Sequence, residues 1–567
     1  MAVSIHNNVV SGPEERPIPA HLSYGQFLFD KLKAGGNKIA QISAETGESV
    51  TYQNILQNSV NLAVALQELG LQKGDVVSLS CENRFEFTVA SLAVIFAGGV
   101  LSTLNVTYSP GEISHVFQIT KPKFIFTSPI TAQNMYDCSK DLTFVKNLIL
   151  FGEYDIVPAV FYNDLVKKHC DIDDFALVDV NGAEDTVAVM CSSGTTGLPK
   201  GVMLTHVNFL TLSAHMKYYL ETSQQKRKHN VITALSLIPW FHAYGFITTL
   251  AVMCLHVEVV FLVRFEEEQF LETIQKYKIN MTTIVPPLAV FLAKHPLVSK
   301  YDLSSLNEMW CGAAPLSKEI QTLVTKRTGI DFIKQGYGLT EVTMACCVDL
   351  VGRSKAGSCG TPAPGMKIKV IDTESGKKLG PNEEGELCIK SPLRMKGYLG
   401  DKASGDAMID EEGYVKTGDI GYYDKEGYFY IVDRLKELIK YKGFQSNKEG
   451  YFYIVDRLKE LIKYKGFQVA PAELESLLLQ HSAVADCGVV GRPDELAGEL
   501  PVAFVVKQPE ANIQEQEIID YVAKKVSPAK RLRGGVIFVD EIPKNQSGKI
   551  LRRELRKMLS ANIKSKL

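Results

Sequence analysis

The chain has 567 residues, too many for one hydrophobic core, so its length predicts a few domains. Its 62 basic and 64 acidic residues nearly cancel, and we therefore expect no nucleic-acid partner. The eleven cysteines include no Cys-x-x-Cys pair and no Cys/His cluster, which argues against a disulfide framework and indicates reduced, mostly buried thiols.

Strand-like runs alternate with helical patterns through most of the chain. Residues 76–80 and 124–127 are short runs typical of strands, whereas residues 85–96 repeat their apolar positions with a helical period. This alternation predicts βαβ units and largely parallel sheets, hence an α/β fold. Residues 1–19 contain no apolar core of the kind that a secretory signal needs.

A loop rich in glycine and hydroxyl groups follows the buried-strand pattern of residues 186–190. Glycines let a backbone approach an anion, and hydroxyl and ammonium groups donate to its oxygens, so the loop predicts a phosphate site at a strand end. A surface linker is the alternative on composition alone, and the Walker A spacing is absent because glycine follows Lys200. The predicted phosphate contacts are Ser192, Ser193, Gly194, Thr195, Thr196, Gly197 and Lys200.

The stretch 243–263 is mostly apolar and about long enough to cross a bilayer. His256 and Glu258 interrupt it, so we expect a buried helix followed by a core strand and no membrane span. Just before it stands His242, flanked by aromatic residues. A single histidine in that setting is more often packed than functional.

Four shorter motifs follow, and each alone could be an ordinary turn. Residues 312–315 are Gly-Ala-Ala-Pro, residues 335–341 are Gln-Gly-Tyr-Gly-Leu-Thr-Glu, residues 417–419 are Thr-Gly-Asp, and residues 543–549 are Pro-Lys-Asn-Gln-Ser-Gly-Lys. Their order after the phosphate loop, over roughly residues 51–567, resembles the adenylate-forming family of acyl-CoA ligases, 4-coumarate-CoA ligases and beetle luciferases. Some local strings are particularly similar to beetle luciferases and their insect relatives.

The resemblance implies an enzyme that uses ATP, Mg²⁺ and CoA. Lys549, His242 and Thr340 would be the catalytic set: the lysine bridges the attacking carboxylate and the phosphate, the histidine orients the acid, and the threonine contacts phosphate. Glu341 would bind Mg²⁺, because that ion prefers a few hard carboxylate ligands. The remaining nucleotide and CoA contacts would be Gly312, Ala313, Ala314, Pro315, Gly336, Tyr337, Gly338, Asp419, Arg434, Arg457, Lys465 and Gly466.

The same resemblance implies an acid pocket shaped by Trp240, Tyr244, Cys311, Gly336 and Met344. Leu212 and Met344 stand where beetle luciferases usually carry arginine and serine, and both changes make the pocket more apolar. We therefore predict a ligase that joins a fatty or aryl carboxylic acid to CoA. Luciferin 4-monooxygenase is the alternative activity, and a non-catalytic binding protein is a third possibility.

A perfect duplication stands at the predicted hinge. Residues 425–445 recur identically as residues 448–468, a period of 23, which indicates a recent tandem event or, as we favour, an error of the gene model. The simplest threading ends the large domain in the first copy and begins the small one in the second. Because the copies are identical, the sequence does not distinguish Arg434 from Arg457.

The resulting domain prediction has a large adenylating domain, a hinge and a mobile lid. Their bounds are 1–433, with a β-rich subdomain at about 358–432, then 434–468 and 469–567. The lid domain is expected to be α+β. Ser565, Lys566 and Leu567 match a peroxisomal address, so we expect a peroxisomal enzyme that binds the import receptor.

Overall fold

The computed structural model describes most of the chain. The described residues are 3–154, 156–192, 199–224, 232–314, 316–330, 332–349, 354–434, 462–464, 467–469, 471–494, 497–526, 528–544 and 550–564.

The described strands, in chain order, are β1 (Ser4–His6), β2 (Val9–Ser11), β3 (Ile39–Ser43), β4 (Ser49–Thr51), β5 (Val76–Ser80), β6 (Val100–Thr103), β7 (Phe124–Thr127), β8 (Asn147–Leu150), β9 (Val160–Phe161), β10 (Thr186–Ser192), β11 (Lys200–Thr205), β12 (Thr233–Ser236), β13 (Glu258–Phe261), β14 (Met281–Ile284), β15 (Glu308–Cys311), β16 (Phe332–Tyr337), β17 (Cys347–Val348), β18 (Thr361–Pro362), β19 (Lys367–Ile371), β20 (Gly385–Lys390), β21 (Gly397–Tyr398), β22 (Val415–Tyr423), β23 (Phe429–Arg434), β24 (Ile462–Tyr464), β25 (Phe467–Val469), β26 (Val484–Asp494), β27 (Gly498–Lys507) and β28 (Gly535–Phe538).

The described α-helices are α1 (Tyr24–Gly35), α2 (Tyr52–Glu68), α3 (Phe85–Phe96), α4 (Pro110–Thr120), α5 (Ala132–Ser139), α6 (Tyr162–Val166), α7 (His206–Gln224), α8 (Ala243–Met253), α9 (Glu267–Lys276), α10 (Pro286–Lys294), α11 (Lys318–Thr328), α12 (Lys402–Ala407), α13 (Pro471–Leu478), α14 (Glu515–Ala523) and α15 (Arg552–Lys564). Short 3-10 helices cover Pro296–Lys300, Thr340–Val342 and Pro528–Lys530.

Two large sheets form most of the body. The first sheet has the order β21-β11-β10-β6-β5-β7-β8-β9, and the second has the order β18-β17-β16-β15-β14-β12-β13-β3-β4. Neighbouring strands run parallel from β10 to β9 in the first sheet and from β16 to β3 in the second. The predicted α/β fold with parallel-rich sheets is therefore confirmed.

Helices α3 and α8 are apolar on nearly every side, and both belong to one large hydrophobic core. An all-apolar helix is stable in water only when other elements cover all of its faces, which is the case here. Helix α8 and strand β13 account for the long apolar stretch after His242, as predicted. No helix in the described part of the chain is long and apolar enough to cross a membrane.

Several helices begin at side chains suited to cap them. Thr51 and Asn54 form a reciprocal capping box at the start of α2, and Ser109 and Glu112 form another at α4. Each box satisfies backbone N–H groups that a helix leaves unpaired at its first turn. Helix α11 starts at Ser317, whose side chain accepts from a backbone N–H in the first turn.

A third sheet is antiparallel, with the order β1-β2-β19-β20-β22-β23. Strands β19 to β23 fall within or next to the predicted β-rich segment. The hairpin of β1 and β2 adds to this sheet from the beginning of the chain, through pairing of β2 with β19. This addition was not predicted from the sequence, since three-residue strands give no measurable periodicity.

The two copies of the duplication enter different sheets. The first copy supplies β23, which pairs with β22 in the third sheet. The second copy supplies β24 and β25, which join β26 to β28 in a fourth sheet packed with α13 and α14. This is the arrangement that the threading predicts, and residues 435–461 lie outside the described part of the chain.

Candidate active site

The strands on either side of the predicted phosphate loop pair with each other in antiparallel fashion. Strands β10 and β11 pair so that Ser192 stands opposite Lys200, and the carbonyl of Pro199 is bonded to His115 Nε2 at 3.0 Å. Residues 193–198, with five of the predicted contacts, lie outside the described part of the chain. A loop flanked by two strands differs from a Walker A loop, which is flanked by a strand and a helix, in agreement with the absent spacing.

Tyr398 stands between the lysine of this hairpin and the predicted metal ligand. The Tyr398 hydroxyl donates to Glu341 Oε1 at 2.9 Å, and Lys200 Nζ lies 4.7 Å from the centre of the Tyr398 ring. Lys200 Nζ is also 3.7 Å from a carboxylate oxygen of Asp401. Tyr398 was not predicted from the sequence, because an isolated tyrosine gives no local signal.

The small residues after β15 form an exposed wall at the carboxyl edge of the second sheet. Ala313 has a φ of 68° and, like Ala314, is exposed. At Gly312 a Cβ would meet the ring of Tyr244 in α8 at 3.4 Å, an ordinary van der Waals contact. The wall therefore presents backbone and methyl groups, which suit a flat purine. Pro315, the last predicted residue of this motif, lies outside the described residues.

Strand β16 pairs with β15 and ends beside this wall, and its last residue, Tyr337, contacts the third sheet. The Tyr337 hydroxyl donates to Asp419 Oδ2 at 2.6 Å, and Asp419 is only 5% exposed. Burial and the neighbouring Asp419 carboxylate raise the pKa of Tyr337 well above its usual value, so its hydroxyl stays protonated and donates. Two predicted nucleotide contacts from distant parts of the sequence are thus in direct contact.

Gly338 is required by the turn that follows β16. A Cβ on this residue would overlap the backbone of Met344, which itself has a φ of 98°. Gly336 is different, because a Cβ there would meet the nearest atom, the carbonyl oxygen of Cys347, at an ordinary 3.6 Å. The structure gives a steric reason for the glycine at 338 and none for the one at 336.

His242 caps the N-terminus of α8 with its ring. Its Nδ1 accepts from the Tyr244 backbone N–H at 3.2 Å, which places the proton of the neutral ring on Nε2. The residue is exposed, yet surrounding protein removes much of its water, and this desolvation lowers the pKa of His242 below its usual value. At neutral pH the ring can therefore donate one hydrogen bond from Nε2.

Side chains from the first sheet hold the segment that carries His242. Asn83, which is 3% exposed, accepts from the Trp240 backbone N–H at 2.8 Å and donates to the Leu262 carbonyl at 3.1 Å. The Thr103 hydroxyl donates to the Phe241 carbonyl at 2.7 Å. Asn83 follows β5 and Thr103 ends β6, so the two residues fix the segment of His242 relative to the first sheet. Neither residue was predicted from the sequence.

The predicted acid pocket divides into surface and core residues. Tyr244 donates from its hydroxyl to the Trp310 carbonyl at 2.9 Å, and the Thr248 hydroxyl lies 3.1 Å from Met344 Sδ. Trp240 and Cys311 are 1% and 2% exposed. Their low exposure does not decide whether they line the pocket, so this part of the pocket stays a prediction.

The donor set at Glu341 fits magnesium. Glu341 lies within the 3-10 helix that begins at Thr340 and is 7% exposed. Among the described residues no group of three or more histidine, cysteine or acidic side chains could hold a metal by itself. A single carboxylate is what Mg²⁺ uses when phosphate oxygens and water supply its other ligands.

Several predicted residues of the hinge and lid cannot be placed in the site. Arg434 is described by its backbone, which stands directly opposite Asp419 across β22 and β23. Lys544 Nζ binds Asp486 at 2.6 Å and so anchors the start of the predicted lysine loop. Among the predicted residues of the hinge, the lid and the C-terminus, those outside the described part of the chain are Arg457, Lys465, Gly466, Lys549, Ser565, Lys566 and Leu567.

Comparison with known proteins agrees with this arrangement. A family model described as AMP-binding enzyme matches residues 28–399, and one described as AMP-binding enzyme C-terminal domain matches residues 473–549. The chain is 40% identical to luciferin 4-monooxygenase of Nipponoluciola cruciata over 98% of each chain. It is 36% identical to the probable 4-coumarate-CoA ligase 3 of Dictyostelium discoideum, over 96% of this chain and 95% of that one.

A solved structure agrees with the same assignment. ATP-bound MatB from Rhodopseudomonas palustris superposes with a TM-score of 0.77 at 26% identity, covering 95% of this chain and 99% of that one. The similarity therefore extends over both the large body and the C-terminal part.

Proposed function

The chain belongs to the AMP-binding enzyme family, and from that premise we propose that it joins a carboxylic acid to CoA with cleavage of ATP to AMP. The match to this family confirms the resemblance to adenylate-forming enzymes. It also confirms, at the level of the family, the prediction of an AMP-forming ligase. The observation that carries the proposal is the contact of Tyr337 with Asp419 beside the wall of small residues. It brings together candidate contacts for adenine and ribose at one sheet edge.

In the first half-reaction, a carboxylate oxygen of the acid attacks the α-phosphorus of ATP in line. Pyrophosphate leaves, and an acyl-adenylate remains. His242 would orient the acid by donating from Nε2 to its carboxylate, and Lys200 would bind phosphate oxygens. Lys549 would stabilise the charge that develops on the phosphate in the transition state.

Glu341 would hold Mg²⁺, and the bound ion would neutralise negative charge on the phosphates. The chain's own contribution is to keep this carboxylate buried and oriented, which Tyr398 does by donating to Oε1. The Met395 backbone N–H donates to the Glu341 carbonyl at 2.8 Å and fixes the backbone of the same residue. Met395 lies just before β21, so one segment holds both the carboxylate and the main chain of Glu341.

In the second half-reaction, the thiolate of CoA attacks the carbonyl carbon of the acyl-adenylate. The bond between that carbon and the bridging oxygen breaks, AMP leaves, and a thioester forms. Alignment of the reacting groups and neutralisation of charge would supply most of the rate enhancement. The Lys-Gly pair of the hinge, Lys465 and Gly466 in the second copy, is the proposed contact for this step.

The proposed acid is fatty or aryl. Support comes from the apolar character of the residues around α8, where Met344 contacts Thr248 and where Leu212 is 1% exposed within the main core. An arginine in place of Leu212 would bury a charge among the apolar side chains of that core, at a large cost in free energy. These features favour an acid with an uncharged, apolar body.

A luciferase-type oxygenase is the second candidate, and the 40% identity to luciferin 4-monooxygenase favours it. Such an enzyme would form the same kind of adenylate and then oxidise it with O₂, with emission of light. The two candidates share the first half-reaction and differ in the second. Light emission with luciferin, ATP and O₂ would support the oxygenase.

The experiment that tests the proposal is a screen for acid-dependent release of pyrophosphate. Fatty acids of graded length are compared with cinnamic acids, each with ATP and Mg²⁺, and reactions without acid are the control. We expect release with members of one acid class, followed by thioester formation when CoA is added. Absence of acid-dependent release across the screen would contradict the proposal and favour a binding protein.

Delivery to peroxisomes is a further part of the proposal. Its support is the sequence Ser565-Lys566-Leu567, which a receptor would read as an address. A fluorescent protein fused in front of this chain should enter peroxisomes. The same fusion without the three residues should stay outside, and equal distribution of the two would contradict this part.

A further inference from the structure

The short segment around β21 is bonded to both sides of the phosphate site. Tyr398 pairs with Val202 in β11, and the Leu399 backbone N–H donates to the Gly201 carbonyl at 2.8 Å. At its other end, the Met395 backbone N–H donates to the Glu341 carbonyl at 2.8 Å. The segment thereby joins the hairpin that carries Lys200 to the helix turn that carries Glu341.

Within this segment the Tyr398 side chain makes two chemically different contacts. Its hydroxyl donates to Glu341 Oε1 at 2.9 Å and also lies 2.9 Å from Met408 Sδ. Its ring lies 4.7 Å from Lys200 Nζ, within the range of a cation–π interaction. The Tyr398 side chain is buried, with an exposed fraction of 6%, so water competes little with its hydrogen bond to Glu341. Lys200 is partly exposed, and its Nζ also lies 3.7 Å from Asp401.

We propose that Tyr398 is a positioning residue with two separable roles, in which the hydroxyl orients Glu341 for Mg²⁺ and the ring holds Lys200 for phosphate. The hydrogen bond from Tyr398 to Glu341 Oε1 restrains the orientation of the carboxylate and would leave Oε2 for the cation. Hydrogen bonds to a metal ligand set its orientation, and their loss costs about 10–100-fold in metal affinity. The inference rests on the proposed use of Mg·ATP.

The test compares Tyr398→Phe, which removes only the hydroxyl, with Tyr398→Leu, which removes the ring as well. ATP binding to the full chain is measured by calorimetry, first in EDTA and then over a series of Mg²⁺ concentrations. For Tyr398→Phe we expect half-saturation at about tenfold or more higher Mg²⁺, with metal-free ATP affinity within about twofold of wild type. For Tyr398→Leu we expect metal-free ATP affinity to fall as well, about threefold or more.

Two further variants keep the test decisive. Met408→Leu changes the other neighbour of the Tyr398 hydroxyl and should leave the Mg²⁺ dependence unchanged. In a Glu341→Gln background, Tyr398→Phe should shift the Mg²⁺ dependence by less than about twofold, because the carboxylate that it orients is gone. An unchanged Mg²⁺ dependence in Tyr398→Phe, or full additivity with Glu341→Gln, would overturn the inference.

Failure of this inference and failure of the proposed function give different results. The calorimetric titration follows nucleotide and metal binding without any acid or CoA, so it does not depend on turnover. If wild type binds Mg·ATP but releases no pyrophosphate with any acid, and Tyr398→Phe shifts the Mg²⁺ titration as expected, the proposed function fails and the role of Tyr398 stands. If turnover is normal and Tyr398→Phe matches wild type in its Mg²⁺ titration, only the role of Tyr398 fails.

Discussion

The hydrogen bond between Tyr337 and Asp419 is the residue-scale contact on which the proposed nucleotide site depends most. It joins the end of a parallel strand to an antiparallel sheet at 2.6 Å, with the carboxylate nearly buried. A ribose bound there would donate to a carboxylate that the protein already holds in place. Charge-assisted hydrogen bonds of this kind are stronger than neutral ones.

We expect Asp419→Ala to raise the KM for ATP by at least tenfold, because each hydrogen bond to a charged group contributes about 1.5–3 kcal/mol. Tyr337→Phe removes a hydroxyl but keeps the ring, and should raise the KM by about fivefold, the equivalent of about 1 kcal/mol. Both values come from pyrophosphate release at saturating acid. A KM for ATP in Asp419→Ala equal to that of wild type would show that this carboxylate does not bind the nucleotide.

Lys549 and Lys544 belong to one loop but are expected to differ in function. Lys549→Ala should lower the rate of pyrophosphate release by about 100-fold or more, since it removes a charge aimed at the transition state, and should leave ATP affinity largely intact. Lys544→Ala is the comparison variant: it removes the ion pair with Asp486 that anchors the start of the loop, and it should lower the rate much less than Lys549→Ala. Pyrophosphate release at the wild-type rate in Lys549→Ala would exclude the proposed role.

At the scale of single elements, α7 makes the fold sensitive to acid. It carries His206 and His215, which are 2% and 0% exposed, and burial lowers the pKa of each from 6.5 to about 4. The unfolded chain takes up a proton on each histidine near pH 6.5, whereas the folded chain does so only near pH 4. The unfolded state therefore binds more protons in this window, and the free energy of unfolding falls as the pH drops from 6.5 towards 4.

The expected slope is at most about 1.4 kcal/mol per pH unit for each histidine. His215→Phe should lower this slope by the part that His215 contributes. The control is His21→Phe, at an exposed residue, which should leave the slope unchanged. Urea unfolding at about pH 7, 6 and 5 measures the effect. Equal slopes in wild type and His215→Phe would mean that this histidine does not titrate in that window.

The bounds of some buried elements were predicted well from sequence. The structure reproduces those of β5, α3 and β7, although α3, predicted from a helical period of its apolar positions, is buried on nearly every side. Asn83, Thr103 and Tyr398 were missed, since each acts through contacts with residues far away in the sequence and stands in no recognisable motif. Sequence patterns predict which strands exist better than which single side chains meet between them.

Trp240 shows what the sequence does not give about a single side chain. The resemblance implies a pocket residue, and the structure adds that its indole N–H donates to Ser236 at 2.8 Å and that its ring packs against Phe87 and Phe261. A buried tryptophan needs such a partner for its N–H, and this one finds it in the core. Proximity to a functional residue in sequence therefore does not give the direction in which a side chain points.

At the scale of the whole molecule, the duplication is the feature with the largest expected effect. The first copy completes the third sheet and the second begins the fourth, so the chain between β23 and β24 is longer than one copy would require. The loop-closure entropy of a longer connection costs little, about 0.6 kcal/mol for each doubling of its length. Residues 437–459, which a single copy would not require, are a greater burden, since their apolar runs can pair at a sheet edge or promote aggregation.

We expect the full chain to be impaired more in thioester formation than in adenylation, because the proposed contact for CoA, Lys465 and Gly466, belongs to the duplicated hinge segment. Deleting residues 425–447 restores a single copy without changing any other residue. The deletion should raise CoA-dependent turnover several-fold and change acid-dependent pyrophosphate release much less. Equal CoA-dependent rates for the two chains would contradict this expectation.

The most direct test of the central claim follows one oxygen atom. If the acid attacks the α-phosphorus of ATP and CoA then displaces AMP, the bridging oxygen of the adenylate comes from the carboxylate. With acid labelled with ¹⁸O at both carboxylate oxygens, mass spectrometry should find one ¹⁸O in each AMP and one in the thioester. Unlabelled AMP, or ADP as the nucleotide product, would contradict an acyl-adenylate and with it the proposed function.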